Sequence, residues 1–152
     1  MLHFEPVTPH NREALTKLSV SEEQAGFIES VADCLREADT CSRWRPLAIY
    51  DDTRLVGFAM YGFFWLPYLP WGRLWMDRLL IDARWQGLGY GTAALKGLLK
   101  RLHKEYPRRR KIYLSVVEGN ENALYLYKRF GFQMTGEKDT HGENVMVCRW
   151  KP

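Results

Sequence analysis

The chain has 152 residues, 46% of them hydrophobic and 26% charged, with a formal net charge of +4. That length and balance read as one soluble domain over residues 1–152, large enough to bury a substantial core. No apolar run approaches the roughly 20 residues of a bilayer span, so no membrane partner is expected.

The opening residues, Met1 to Pro6, carry neither the basic nor the apolar region of a secretory leader. Cys34, Cys41 and Cys148 are odd in number and form no Cys-x-x-Cys pair, which fits reduced thiols in a cytoplasm. His3, His10, His103 and His141 lack ligand spacing, so no metal site is expected.

In chain order, Phe4 to Val7 reads as a first strand. Thr8 before Pro9 predicts a helix N-terminus, with the helix running to about Leu18. Ser21 with Gln24 resembles a capping box, and Ala25, Ile28, Val31, Ala32 and Leu35 then recur at helical spacing. Pro46–Tyr50 and Leu55–Tyr61 read as strands joined by a hairpin at Asp51-Asp52-Thr53. Leu74–Ile81 is a central strand entering a glycine-rich turn. Ala93, Ala94, Leu95, Leu98, Leu99 and Leu102 mark the apolar side of a helix that ends before Pro107. Ile112–Val117 is a further strand. Asn120 can cap a helix carrying Ala123, Leu124, Leu126 and Tyr127 and stopping at Gly131. Phe132–Thr135 and Val145–Trp150 close the pattern. The sum is an α/β domain (α+β in layout) with a mixed, mostly antiparallel sheet flanked by helices.

The glycine turn, Gln86-Gly87-Leu88-Gly89-Tyr90-Gly91-Thr92, carries the most chemistry. A glycine-rich passage from strand to helix leaves backbone N–H groups facing outward at the positive end of the helix dipole. Such a turn suits a pyrophosphate, although three glycines also serve a tight structural turn. A dinucleotide-binding unit would place the loop after the first strand, with an acidic residue about 20 positions later. A nucleoside-triphosphate loop would end in Gly-Lys-Ser/Thr, and Gly91-Thr92 lacks the lysine. Both common nucleotide readings are weakened. The basic run Arg108-Arg109-Arg110-Lys111 has no interleaved aromatics and belongs to no nucleic-acid module. It reads as a solvated loop, and no nucleic-acid partner is expected.

Two segments flank the turn: Met76-Asp77-Arg78-Leu79-Leu80-Ile81-Asp82 upstream, and Asn120 through Phe132 downstream. Together the three resemble the GNAT superfamily of acyl-CoA-dependent N-acetyltransferases. Its Arg/Gln-x-x-Gly-x-Gly/Ala loop matches Gln86, Gly89 and Gly91. Its Asn-x-x-Ala-x-x-x-Tyr-x-x-x-Gly-Phe pattern matches Asn120, Ala123, Tyr127, Gly131 and Phe132. The match covers roughly residues 46–150. A narrower likeness to bacterial diamine, spermidine or spermine N-acetyltransferases rests on Ile49–Asp52, Leu55–Phe58, Asp77–Asp82 and Ile112–Val116.

The resemblance implies the GNAT fold, acetyl-CoA as cofactor and a small amine as acceptor. It implies main-chain contacts to pantetheine from Leu79 and Ile81, with Leu80 between them. The amides of Gly87, Leu88, Gly89, Tyr90, Gly91 and Thr92 would take the pyrophosphate, with Gln86 closing the loop. Asn120, Ala123 and Lys128 would lie along the cofactor. Tyr127 is implied as the general acid for the departing thiolate, a transfer between groups of pKa near 10 and 8.5. Asp77 is implied as a general base acting through water. Strand alternation puts it on the face of Leu79 and Ile81, and a salt bridge to Arg78 is its competing role.

An amine site should be acidic and aromatic. Glu22, Glu23, Glu29 and Asp33 lie where this family covers the acceptor, with Glu22, Glu23 and Asp77 as the expected substrate contacts. Phe63, Phe64, Trp65, Tyr68, Trp71 and Trp75 crowd the segment before the central strand. They read as acceptor lining, core or dimer contact, and the family implies a homodimer. The leading acceptor is a polyamine or diamine. An aminoglycoside, an amino acid and a protein N-terminus stay open, as does a non-catalytic acyl-CoA-binding module.

Overall fold

The computed structural model describes residues 1–19, 30–66, 68 and 70–150. Its strands are β1 (Leu2–Pro6), β2 (Trp44–Asp51), β3 (Arg54–Phe64), β4 (Arg73–Ile81), β5 (Lys111–Val116), β6 (Gln133–Lys138) and β7 (Asn144–Arg149). Its helices are α1 (Arg12–Thr16), α2 (Val31–Thr40), α3 (Tyr90–Glu105) and α4 (Glu121–Arg129), with a short 3-10 turn at Ala83–Trp85. The strands form one sheet in the order β1-β2-β3-β4-β5-β7-β6. Every neighbouring pair is antiparallel except β4 and β5. The mixed, mostly antiparallel sheet expected from the strand pattern is what forms.

Both faces of the sheet are covered. Alternate residues of β3 divide between them: Ala59 and Tyr61 face the α3 layer, while Phe58 and Met60 face α1 and α2. The first layer buries Ala94, Leu95, Leu98 and Leu102 of α3 against Leu74, Met76, Ile112 and Leu114, while of the other two expected positions Leu99 is half-buried and Ala93 is exposed. The second buries Leu15, Val31, Cys34 and Leu35 against Ala48, Phe58, Met60 and Leu80.

Several strand ends shift by a few residues, and three helix boundaries differ from expectation. The first helix starts after Asn11 and not at Thr8, because Thr8 to Asn11 closes a turn. The Asn11 side chain organises that turn, accepting from the Thr8 N–H at 2.8 Å and donating to the Pro6 carbonyl at 3.1 Å. The helix also ends sooner, at Thr16. The helix expected from Ser21 does not pass through residue 30. Ser30 has extended backbone and accepts from the Asp33 N–H at 3.1 Å, so it caps a helix beginning at Val31. Ser21 and Gln24 lie outside the described residues.

One irregularity bears directly on the chemistry. Met76 and Ile81 pack into the same core although they are five positions apart, an odd step that strict alternation sends to the opposite face. The ladder with β3 accounts for it: Met60 faces Arg78 and Tyr61 faces Met76, so Asp77 is an extra residue in β4. This is a β-bulge, and it re-aims the side chains around it.

Candidate active site

The one parallel pairing among the described residues is also the shortest. β4 and β5 pair at Leu74 with Ile112 and Trp75 with Tyr113, and there the ladder stops. Beyond it, β4 stays paired with β3 as far as Ile81, and β5 stays paired with β7 as far as Val116. The sheet therefore opens between the C-terminal halves of β4 and β5, leaving main-chain donors and acceptors facing a gap.

A cavity of about 290 Å³ occupies the gap, with Leu79, Leu80 and Ile81 on one wall and Asn120, Ala123 and Tyr127 on the other. Gln86, Gly87 and Gly91 of the glycine turn close one end. Asn122 and Leu126 of α4 also line it. In the sequence Leu126 reads only as an apolar helix position and Asn122 carries no role, although their places beside Ala123 and Tyr127 were the available signal.

Gly87 and Gly89 adopt left-handed backbone, with φ of +79° and +85°, and Gly89 is the residue from which α3 departs. A Cβ built on Gly87, Gly89 or Gly91 meets no atom within 4 Å. The space beside the turn is open, and the left-handed geometry favours glycine there. That concavity at the N-terminus of a 16-residue helix fits a pyrophosphate. The Gln86 side chain donates to the Ile81 carbonyl at 2.9 Å, which shuts the turn back onto β4.

Not every residue expected along the cofactor lines the cavity. Leu88 points to solvent and Lys128 is exposed. The Tyr90 hydroxyl turns away to donate to Asp51 at 2.5 Å and accept from Arg54, so it braces the turn against the β2–β3 hairpin. Gly89 and Thr92 belong to the turn without lining the cavity. Asn120 stands at the N-cap of α4 but its side chain makes no capping bond, which leaves its amide facing the cavity.

Asp82, given no site role from the sequence, caps the 3-10 turn that leads into the glycine turn. It is 1% exposed and accepts from the Arg84 backbone N–H and Nε, both at 2.9 Å, and from the Ser19 N–H at 3.1 Å. Burial alone would raise its pKa, but these hydrogen bonds hold the carboxyl below the ordinary value.

A neck of about 70 Å³ leads from the cavity past Tyr127 and Asn120 to Asp77, Arg78, Ser115 and Glu143. Burial pushes the Tyr127 phenol up to about 12, with the Arg78 guanidinium pulling the other way. Glu143 is also raised, first by burial and then by the nearby Asp139. Arg78 donates to the Asp77 carbonyl at 2.8 Å, while its guanidinium stands 3.8 Å from the Asp77 carboxylate, a loose ion pair.

Past the neck lies a wider cleft of about 400 Å³. The bulge turns Asp77 into it beside Trp75, Trp44 and Phe64, and off the face of Leu79 and Ile81, where uninterrupted alternation places it. Three more carboxylates join Asp77 there: Glu37 from α2, Glu137 from β6 and Asp139 from the β6–β7 turn. Arg73 pairs with Glu137 at 3.1 Å and lies over the rings of Tyr68 and Tyr113. Of the expected aromatic crowd, Phe64, Tyr68 and Trp75 line the cleft, whereas Phe63 packs against Tyr106 and Trp71 is exposed. Asp33 pairs with Arg36 on α2 and does not reach it. Glu22, Glu23 and Glu29 lie outside the described residues.

The sequence model of the acetyltransferase (GNAT) family matches residues 11–132. A spermine/spermidine N(1)-acetyltransferase of Bacillus subtilis is 45% identical over 150 residues, covering 96% of this chain and 97% of that protein. Among solved structures, a spermidine N-acetyltransferase from Vibrio cholerae in complex with CoA and spermine superposes with a TM-score of 0.70 at 17% identity, covering 97% of this chain and 95% of that one. An aminoglycoside acetyltransferase in complex with coenzyme A superposes with a TM-score of 0.79 at 18% identity, covering 98% and 95%. The open strand pair, the glycine cradle and these likenesses agree: the chain belongs to the acetyltransferase (GNAT) family and is an acetyl-CoA-dependent N-acetyltransferase.

Proposed function

We propose that the enzyme acetylates a primary amine of spermidine or spermine by direct attack in a ternary complex. The observation that carries this reading is the cleft beyond the neck. Four carboxylates, Glu37, Asp77, Glu137 and Asp139, outnumber the two cations Arg73 and Lys138 in its lining, in a protein whose net charge is positive, and Trp44 and Trp75 give it aromatic faces. A flexible chain carrying several ammonium groups gains from both features. The Bacillus relative, named for spermine and spermidine, supports the same acceptor class.

Acetyl-CoA, when bound, supplies a thioester activated toward amines. An alkyl amine of pKa near 10.4 arrives as a cation and must lose a proton before it can attack. Asp77, at the junction of cleft and neck, is assigned that proton, taken directly or through one water. Tyr127, lining both the first cavity and the neck, holds its proton on Oη and is assigned its delivery to the leaving group. Leu79 and Ile81 are assigned main-chain contacts along the open edge of β4, and residues 87–92 the phosphate contacts. Cys34, Cys41 and Cys148 are not joined in disulfides, which suits the cytoplasmic setting we assign, and we assign a homodimer on the family pattern.

The test is thiol release from acetyl-CoA with spermidine, spermine, putrescine, aminoglycosides and amino acids offered in parallel. Spermidine and spermine should stimulate it most. If no amine does so while CoA still binds, a non-catalytic acyl-CoA module replaces this reading.

A further inference from the structure

A second cleft, of about 650 Å³, opens at the other end of β4 from the glycine turn, between the β3–β4 and α3–β5 connections. Its lining includes Arg73, Arg108, Arg109, Arg110 and Lys111, and no carboxylate. Two of these cations are committed to the fold. Arg73 is held by Glu137, and Arg109 donates to the Trp71 carbonyl at 2.8 Å while lying over the rings of Phe63 and Trp65. Arg108, Arg110 and Lys111 have no carboxylate partner among the described residues. Trp71 stands beside them with 75% of its surface exposed.

Three uncompensated cations on four successive residues repel one another, and an anion with several charges relieves that repulsion. The run carries no aromatics in sequence, but the fold delivers an open indole to it from the β3–β4 connection. We propose that this cleft binds a nucleoside polyphosphate, with the phosphates on Arg108, Arg110 and Lys111 and the base against Trp71. Guanidinium groups chelate phosphate oxygens in pairs, and an indole face stacks on a base. The volume falls in the range of small-molecule sites, roughly 300 to 1,000 Å³. The cations gather at one spot and do not form the extended track a nucleic-acid strand follows. No residue is shared with the cavity at the glycine turn, so this site is separate from the one assigned to acetyl-CoA. The acidic cleft shares only Tyr68 and Arg73 with it and carries the opposite charge.

The probe is ATP, titrated by calorimetry into enzyme already saturated with acetyl-CoA. Saturable binding is expected, weakening as salt rises. The double variant R108A/R110A should lose at least about tenfold in affinity, since each charge-assisted contact is worth that much or more. Its acetyl-transfer rate should stay unchanged, which shows that the fold is intact. Trp71→Ala should weaken ATP while leaving inorganic triphosphate unaffected. The proposal is overturned if ATP fails to bind the saturated enzyme, if R108A/R110A binds it normally, if Trp71→Ala affects both ligands equally, or if a single-stranded oligonucleotide binds far more tightly than ATP.

Discussion

Tyr127→Phe separates the chemistry from the architecture more cleanly than any other substitution. The Tyr127 hydroxyl donates to no protein group among the described residues, and burial has pushed its pKa up to about 12. Removing it deletes no internal hydrogen bond, so stability should change by less than about 1 kcal/mol. A general acid contributes roughly 10²- to 10⁴-fold to rate. The raised pKa argues for the lower end. A proton held at about 12 moves fully to a thiolate near 8.5 only at a cost of about 5 kcal/mol. That cost is eased because desolvation at the same site also destabilises the thiolate, and transfer in the transition state is partial. We expect kcat to fall about 10²-fold, near 3 kcal/mol of barrier, with KM for acetyl-CoA little changed. Steady-state thiol release and thermal unfolding on the same preparation check both halves. A kcat within a few-fold of the parent, in a variant of parental stability, would refute the role given to Tyr127.

The other expectations concern the scaffold around it. Gly89→Ala puts a side chain on left-handed backbone, costing about 1–2 kcal/mol, and fills the open cradle, so a raised KM for acetyl-CoA should exceed any change in kcat. Asp82→Ala removes the buried acceptor of the Ser19 and Arg84 donors, and because those donors lie at the surface and can turn to water, about 1–2 kcal/mol of stability should vanish in urea titrations at neutral pH. Because the folded pKa of Asp82 lies below its unfolded value, its contribution is present above about pH 4 and lost as pH falls through the folded value. The difference between parent and Asp82→Ala should therefore shrink in acid. At the other extreme, burial raises Tyr61 and Tyr127 to about 12, so the stability they confer is complete below pH 10 and lost between pH 10 and 12. Tyr61→Phe should flatten that alkaline loss, and an unaltered slope in pH-dependent unfolding would contradict the shift.

The elements legible in the sequence were those whose signals are local. The period of Ala94, Leu95, Leu98 and Leu102 marked α3, the apolar run at Leu79–Ile81 marked β4, and the glycines of residues 87–91 marked the turn between them. Of the residues that carry the resemblance, Asn120, Ala123 and Tyr127 lie on one wall of the cavity. Errors fell where a side chain overrode a boundary rule, as Asn11 did at α1 and Ser30 at α2.

What only the tertiary structure decided is where strands part and what meets across the gap. Local sequence does not encode the place where the β4–β5 ladder stops, because that depends on how each strand is held by its other neighbour. Nor does it encode the bulge that sends Asp77 into the cleft of Trp75, since a one-residue slip in register is invisible to alternation read along one strand. Asp77 meets Glu37, Glu137 and Asp139, and Trp71 meets Arg108 to Lys111, only because distant segments converge on one end of the sheet. The sequence by itself marked most of the elements, the glycine turn and the position of Tyr127. Folding alone sorted the charges into one acidic cleft and one basic cleft, because pairing between distant segments, and not the order of residues, sets which charges become neighbours.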